Sequence, residues 1–192
     1  MDEKRHRTAR AALLALLFVV TAGAPQWLRA QDLTGEKRVL LLGAGGERLE
    51  VGRVRFEPVS ADRWRFRFVL ASEGFTERFL AMRPFRCVAG ASQQLCHFPY
   101  GSEDTVSRDD LLPLEYALMF IATKPGALHI SGRDGLFYKL AFTERGLRGE
   151  LHDVDLDPII TPREGGTLRP IGYRQLDRAD PKSHWLPALL IE

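Results

Sequence analysis

Residues 62–70 read DRWRFRFVL, a stretch in which charged and apolar side chains alternate. The apolar members are Trp64, Phe66, Phe68 and Leu70, and the charged members between them are Arg63, Arg65 and Arg67. Successive side chains of a β-strand point to opposite faces of the sheet, so this period of two predicts a half-buried strand. One face of the strand should enter the core, and the other should carry a row of arginines.

The preceding stretch, residues 47–59, predicts a partner strand that bends. It reads ERLEVGRVRFEPV, and its apolar positions are odd-numbered at Leu49 and Val51 but even-numbered at Val54 and Phe56. Gly52 lies where the phase changes. A glycine at such a point is typical of a β-bulge or a bend in a curved sheet.

Most of the remaining chain shows similar short strand patterns. LFYKLAF at residues 136–142 alternates and is followed by the turn ERG, and further strands are predicted at residues 38–42, 77–88 and 95–100. Short strands joined by turns rich in Gly and Pro predict an antiparallel sheet that is closed or folded on itself.

One segment favours a helix instead. Residues 107–122 read SRDDLLPLEYALMFIA and offer Ser107 or Asp110 as an N-cap; with Asp110 as the cap, Pro113 falls in the first turn, where its missing N–H costs nothing. An apolar stripe at helical spacing follows, formed by Leu111, Leu114, Leu118 and Ile121. The predicted fold class is therefore mainly β, an antiparallel curved sheet or small barrel with one packed helix.

Residues 1–30 have the pattern of a secretory signal peptide. An uncharged apolar run opens at residues 11–20. It is preceded by four basic residues, Lys4, Arg5, Arg7 and Arg10. The run is too short for a comfortable membrane span of about 20 residues, so we expect cleavage after Ala30 rather than a retained anchor. This predicts a periplasmic or secreted protein with no stable membrane span after cleavage.

The charge of the expected mature chain argues against nucleic acid as a partner. The whole sequence has 27 basic and 25 acidic residues, but residues 31–192 hold 22 basic and 23 acidic ones. Binding to nucleic acid would need a basic mature domain. We expect residues 31–172 to form a single β-rich domain and residues 173–192, which are rich in Pro and charge, to form an irregular tail.

The chain has two cysteines, Cys87 and Cys96, separated by eight residues. In an exported protein such a pair most often forms a disulfide, because the compartment is oxidising. Zinc sites and redox centres usually need C-x-x-C spacing, which does not occur in this sequence. We therefore predict a disulfide, and we predict no metal site and no cofactor.

The motifs of common enzyme classes do not occur in the sequence. Gly43, Gly45 and Gly46 resemble a dinucleotide-binding turn, but a strand pattern follows them where that motif needs a helix. G-x-S-x-G, H-E-x-x-H and S-x-x-K patterns do not occur either. The absence of these motifs does not exclude an enzyme, because catalytic triads need no fixed spacing. If the protein is an enzyme, its catalytic residues are unknown.

Acidic residues alternate in HDVDLD, residues 152–157, which places Asp153, Asp155 and Asp157 on one strand face. This pattern resembles the first half of a calcium loop, but the required Gly and the distal Glu are missing. A solvated strand edge, or a charge partner for a basic face, is the simpler interpretation.

The main candidate binding site is a set of four arginines on the two strands first described, here called the arginine face: Arg53, Arg55, Arg65 and Arg67. We expect a hairpin in which Phe56 lies opposite Trp64. Arg55 would then face Arg65, and Arg53 would face Arg67.

Like charges directly opposite each other destabilise a sheet, so something should neutralise the arginine face. Internal acids are one possibility, such as Glu50, Glu57 or the Asp153–Asp157 row. The other is an external anion held by the guanidinium groups.

Four stretches resemble a family of small exported proteobacterial proteins of unassigned function: FRCV at 85–88, LCHFPYG at 95–101, LPLEYALMFIA at 112–122 and LHDVDLD at 151–157. The resemblance covers roughly residues 75–172. It implies a location in the cell envelope, and it carries over no functional residues.

The sequence favours a non-enzymatic, exported module that binds a small or anionic envelope ligand, or a partner. One alternative is a hydrolase-like enzyme that uses His97, His129 or His152 with Asp153 or Asp155. The other is a purely structural envelope protein. A pocket with convergent polar groups would favour the enzyme, and a filled interior with a charged exterior would favour the structural role.

Overall fold

A computed structural model describes residues 32–80, 83–127, 129–162 and 164–192, so the predicted signal segment lies outside the described residues. The strands are β1 (Gly35–Leu42), β2 (Arg48–Ser60), β3 (Arg63–Leu70), β4 (Thr76–Leu80), β5 (Arg83–Ala89), β6 (Gln94–His97), β7 (Thr105–Ser107), β8 (Phe120–Thr123), β9 (Gly135–Thr143), β10 (Gly146–Val154), β11 (Leu176–Arg178) and β12 (Ala188–Ile191). The helical elements are α1 (Leu112–Ala117), α2 (Asp157–Ile160) and 3-10 turns at Gly132–Asp134 and Tyr173–Gln175.

All strand pairs in the described part of the chain are antiparallel and belong to one sheet. The order is β4-β5-β6-β8-β9-β10-β12-β1-β2-β3-β7, with β11 paired to β10 beside this path. This confirms the predicted mainly β, antiparallel fold. In these ranges β4 and β7 are the two unjoined ends of the sheet, so the architecture is an open sheet and not a closed barrel.

The sheet folds over on itself, because side chains from distant strands touch. Trp64 of β3 lies 6.4 Å from Phe142 of β9 between ring centroids, and Phe68 of β3 lies 5.6 Å from His97 of β6. Both partner strands are at least five places away from β3 in the sheet order. The space that the curved sheet encloses is filled by a continuous apolar core, whose largest fully buried side chains include Trp64, Tyr138, Phe56 and Phe120.

The bulge predicted at Gly52 is present. Val39 of β1 pairs with Gly52, whereas Leu40 pairs with Glu50, so β2 has one extra residue at Val51. A Cβ atom at Gly52 would lie 2.3 Å from the carbonyl oxygen of Val69 on β3. The glycine therefore allows β3 to approach the bulged strand closely, which fits the tighter bending that bulges produce.

Helix α1 is shorter than the apolar stripe predicts. It begins at Leu112, where the amide donates to Asp110 Oδ1 at 3.2 Å, and it ends at Ala117. Ile121 does not continue the helix but lies in β8, directly opposite Cys96 of β6. Pairing with a neighbouring strand has overridden the helical spacing here, as tertiary contacts commonly do.

The segment expected to be an irregular tail, residues 173–192, contributes two strands. The β12 strand lies in the middle of the sheet, between β10 and β1, and its Leu189 and Ile191 are fully buried. Four residues of alternating burial are too short to stand out in a stretch rich in Pro and charge. Similarly, the stretch predicted as one strand at 77–88 supplies both β4 and β5.

Candidate functional site

The β2–β3 hairpin carries the arginine face, but its register differs from the predicted one. Phe56 pairs with Phe66 and not with Trp64, which lies opposite Pro58. The cause is the turn: β2 runs on to Ser60, with an irregularity after Pro58, so the hairpin closes one residue later than expected. The resulting slip is two residues, which preserves the face on which each side chain lies.

The structure therefore places all four arginines on the exposed side of β2 and β3, with different neighbours from those predicted. Arg55 lies opposite Arg67, not Arg65. Arg65 lies opposite Glu57, and Arg53 lies opposite Val69. Within the hairpin, the directly opposed like charges on this face are Arg55 and Arg67. On the neighbouring strand β1, Arg38 lies opposite Arg53, and Glu36 lies opposite Arg55.

Two members of the arginine face are neutralised by internal acids. Arg53 contacts Glu36 Oε1 through Nη1 at 3.0 Å and Glu50 Oε1 through Nε at 3.2 Å, and the hydrogen bond to Glu36 is the main reason that its pKa is raised. Arg65 Nε lies 3.3 Å from Asp104 Oδ2. Of the acids predicted for this role, Glu50 is used, while the Asp153–Asp157 row lies on other elements.

Arg55 and Arg67 remain without such partners. Among the described residues, no carboxylate oxygen lies within 4.0 Å of either guanidinium group. Two opposed like charges on neighbouring strands cost a few tenths of a kcal/mol to about 1 kcal/mol. This pair is thus the part of the arginine face that is free to hold an external anion.

A surface cavity of about 460 Å³ adjoins the pair. Its charged lining consists of Glu36, Glu50, Arg53, Arg55 and Arg67. Its apolar lining lies towards the end of β3 and includes Val69, Leu70 and Ala71. Val69 is 57% exposed and is the most exposed of these three apolar side chains.

The histidines proposed for the enzyme alternative do not meet the proposed aspartates in the described structure. His97 is packed between Phe68 and Phe120, its Nε2 lies 2.8 Å from the carbonyl oxygen of Ala117, and burial lowers its pKa. The ring of His152 contacts the carbonyl oxygen of Glu150.

Asp153 has a histidine partner that the sequence did not suggest. Its Oδ1 lies 3.1 Å from Nε2 of His184, beside a cavity of about 840 Å³. The two residues are 31 positions apart and do not belong to a common sequence motif. Their contact therefore could not be predicted from the sequence. Nδ1 of His184 is buried and has no hydrogen-bond partner in the described ranges, so no nucleophile there completes a triad.

Glu115 is a buried carboxyl group that sequence reasoning missed. It is fully buried on α1, and its Oε1 accepts a 2.7 Å hydrogen bond from the amide of Leu140. That amide is available because β8 pairs with β9 only at Leu136 and Gly135. Burial raises the pKa of Glu115 to about 7, although the bond from Leu140 acts in the opposite direction.

Cys87 and Cys96 lie directly opposite each other on β5 and β6. Their sulfur atoms are 2.08 Å apart, the distance of a disulfide, and both residues are buried. In the described residues, no group of three or more His, Cys, Asp or Glu side chains could hold a metal ion. A search of the same residues finds no helix long and apolar enough to cross a membrane.

Comparison with family models, with curated proteins and with solved structures found no match to this chain. The resemblance to exported proteobacterial proteins therefore stays a prediction from sequence. The function has to be argued from the geometry of the site alone.

Proposed function

We propose that this protein is an exported, non-enzymatic binding module that holds an anionic envelope ligand on its arginine face. One observation carries the proposal: Arg55 and Arg67 lie directly opposite each other and are both exposed, and among the described residues no carboxylate oxygen lies within 4.0 Å of either guanidinium group. An anion bound between them would relieve the repulsion that the hairpin otherwise contains.

The binding surface is on the outside of the sheet because the core side chains fill its interior. A filled interior with a charged exterior favours the structural alternative, so the support for binding comes from the arginine pair alone. Exposed ion pairs contribute only about 0 to 1 kcal/mol each, so we expect weak binding that depends strongly on salt.

Reversing the charge of the pair, Arg55→Glu with Arg67→Glu, should abolish retention on a heparin column at low salt. The parent should be retained and should elute as the salt concentration rises. The variant keeps two like charges opposite each other within the hairpin, but position 55 also lies opposite Glu36 on β1, so urea unfolding should show a loss of stability of up to about 1 kcal/mol.

A matched control is Arg145→Glu with Arg148→Glu, which makes the same change in net charge at two exposed arginines on the β9–β10 hairpin. The control should remain retained on heparin. If the Arg55 and Arg67 variant elutes at the same salt concentration as the parent, the arginine face is only a solvated surface and the binding proposal is wrong.

We also propose a periplasmic or secreted location. The buried Cys87–Cys96 disulfide supports an oxidising compartment, and the signal pattern of residues 1–30 supports export. N-terminal sequencing of the protein recovered from the envelope should begin at Gln31. A mature protein that keeps residues 13–20 and sediments with membranes would contradict cleavage after Ala30.

A further inference from the structure

We propose that the anion is a phosphate monoester carrying a short apolar chain, with its phosphate between Arg55 and Arg67 and its chain over Val69. This inference rests on the proposed function and specifies its ligand. The observation behind it is that one cavity of about 460 Å³ joins the open arginine pair to an exposed apolar surface.

The charges in the cavity favour a doubly charged head group on its β3 side. Glu36 and Glu50 both contact Arg53, so the β1 side of the cavity carries one net negative charge, and the two positive charges of Arg55 and Arg67 lie on its β3 side. Arg55 and Arg67 then face the ligand as two unpaired guanidinium groups. A phosphate monoester carries close to two charges above its second pKa of about 6, and planar guanidinium groups bind its oxygens in pairs.

We infer the apolar part of the ligand from the residues that come after Arg67 in β3. Val69 lies on the same face as Arg67, two residues further on, and Leu70 and Ala71, which are half-buried and pack against the core, also border the cavity. This side of the cavity holds no charged side chain among the residues that border it. A purely ionic ligand would leave the apolar surface in water, whereas an alkyl chain would cover it.

The cavity is accessible from the edge of the sheet. Beyond β2, β3 is paired only with β7, and that pairing covers Arg63, Trp64 and Arg65. The stretch from Arg67 to Leu70 has no further strand beside it in the described part of the chain. A single extended chain of a few carbons can therefore lie along this edge.

Isothermal titration at pH 8 and low salt with hexyl phosphate and with inorganic phosphate tests the inference. We expect hexyl phosphate to bind at least tenfold more tightly. Val69→Thr, which replaces one methyl group with a hydroxyl group of similar size, should reduce this preference about threefold and leave the affinity for inorganic phosphate unchanged. Val59→Thr is the control, because Val59 is similarly exposed at 54% but lies outside the cavity.

Equal affinities for the two phosphates, both lost in the Arg55→Glu, Arg67→Glu variant, would overturn this inference and leave the proposed function standing. Hexyl phosphate binding that survives the double reversal would overturn both. Phosphatidylcholine vesicles with and without phosphatidic acid distinguish a membrane source of the phosphate. If the protein sediments with the phosphatidic acid vesicles but does not measurably bind hexyl phosphate, the cavity is not the site of recognition and this inference is wrong.

Discussion

Glu115→Gln is expected to remove a fall in stability of about 3 kcal/mol that the parent protein shows between pH 4.5 and pH 7. Burial raises the pKa of Glu115 from its ordinary value of 4.5 to about 7, so in this range the folded state binds a proton that the unfolded state has lost. Stability must then decrease as the pH rises, until the folded carboxyl group is also ionised.

Glutamine has no such proton, and its carbonyl oxygen can still accept the hydrogen bond from Leu140. Urea unfolding at pH 5, 6, 7 and 8 measures the difference between parent and variant. His97 acts in the opposite direction, because burial lowers its pKa and stability falls as it becomes protonated. Since both proteins contain His97, the difference between them isolates Glu115.

Glu144→Gln provides a control, because Glu144 is exposed in the turn between β9 and β10. Its pH profile should match that of the parent. The charges of Lys139 and Asp110 act on Glu115, and the hydroxyl group of Tyr173 acts on it through hydrogen bonding. If the Glu115→Gln and parent profiles run parallel from pH 5 to pH 8, the carboxyl group is not held with a raised pKa.

Loss of the Cys87–Cys96 cross-link is expected to lower the free energy of unfolding by about 2.5 to 3 kcal/mol, the chain-entropy value for a loop of about ten residues. The bond joins two adjacent strands, β5 and β6, near one end of the sheet order. Reduction in urea followed by refolding with thiol present breaks the cross-link and otherwise changes the composition of the protein only by two added hydrogens. The urea midpoint of the reduced protein should fall accordingly.

Cys87→Ala with Cys96→Ala should be less stable still, because both cysteines are buried and the change also removes two sulfur atoms from the core. This comparison separates the cross-link from the packing of the sulfurs. Equal midpoints for oxidised and reduced parent would show that the disulfide does not stabilise the fold. Two alkylatable thiols in the freshly exported, unreduced protein would show that it does not form.

The sequence predicted the arginine face because that prediction depends only on the period of the strand. A slip of two residues changed every neighbour across the hairpin and left each arginine on the same side. The partners were less predictable, because Glu36 comes from another strand and Asp104 from a loop about 40 positions away. Contacts at such separations leave no pattern in a single sequence.

The same limit explains the differences in the fold. The stripe through Leu118 and Ile121 has helical spacing, but only the position of β6 decides that Ile121 belongs to a strand. Glu115 looks like an ordinary polar position of a short helix, and the unpaired amide that it satisfies belongs to Leu140. Local patterns predicted which residues are buried and which are exposed. Pairing with distant strands determined whether each residue belongs to a helix or to a strand.

The central place of β12 bears on the order of events during synthesis. A chain made from its N-terminus presents β1, β2 and β3 long before residues 188–191 exist, yet β1 reaches β10 in the sheet only through β12. Until those four residues emerge, the outer edge of β1 and residues 147–150 of β10 both lack a neighbour on that side. The sheet can therefore be completed only after translation has passed residue 191, so the folding of β1, β2 and β3 into the complete sheet is post-translational.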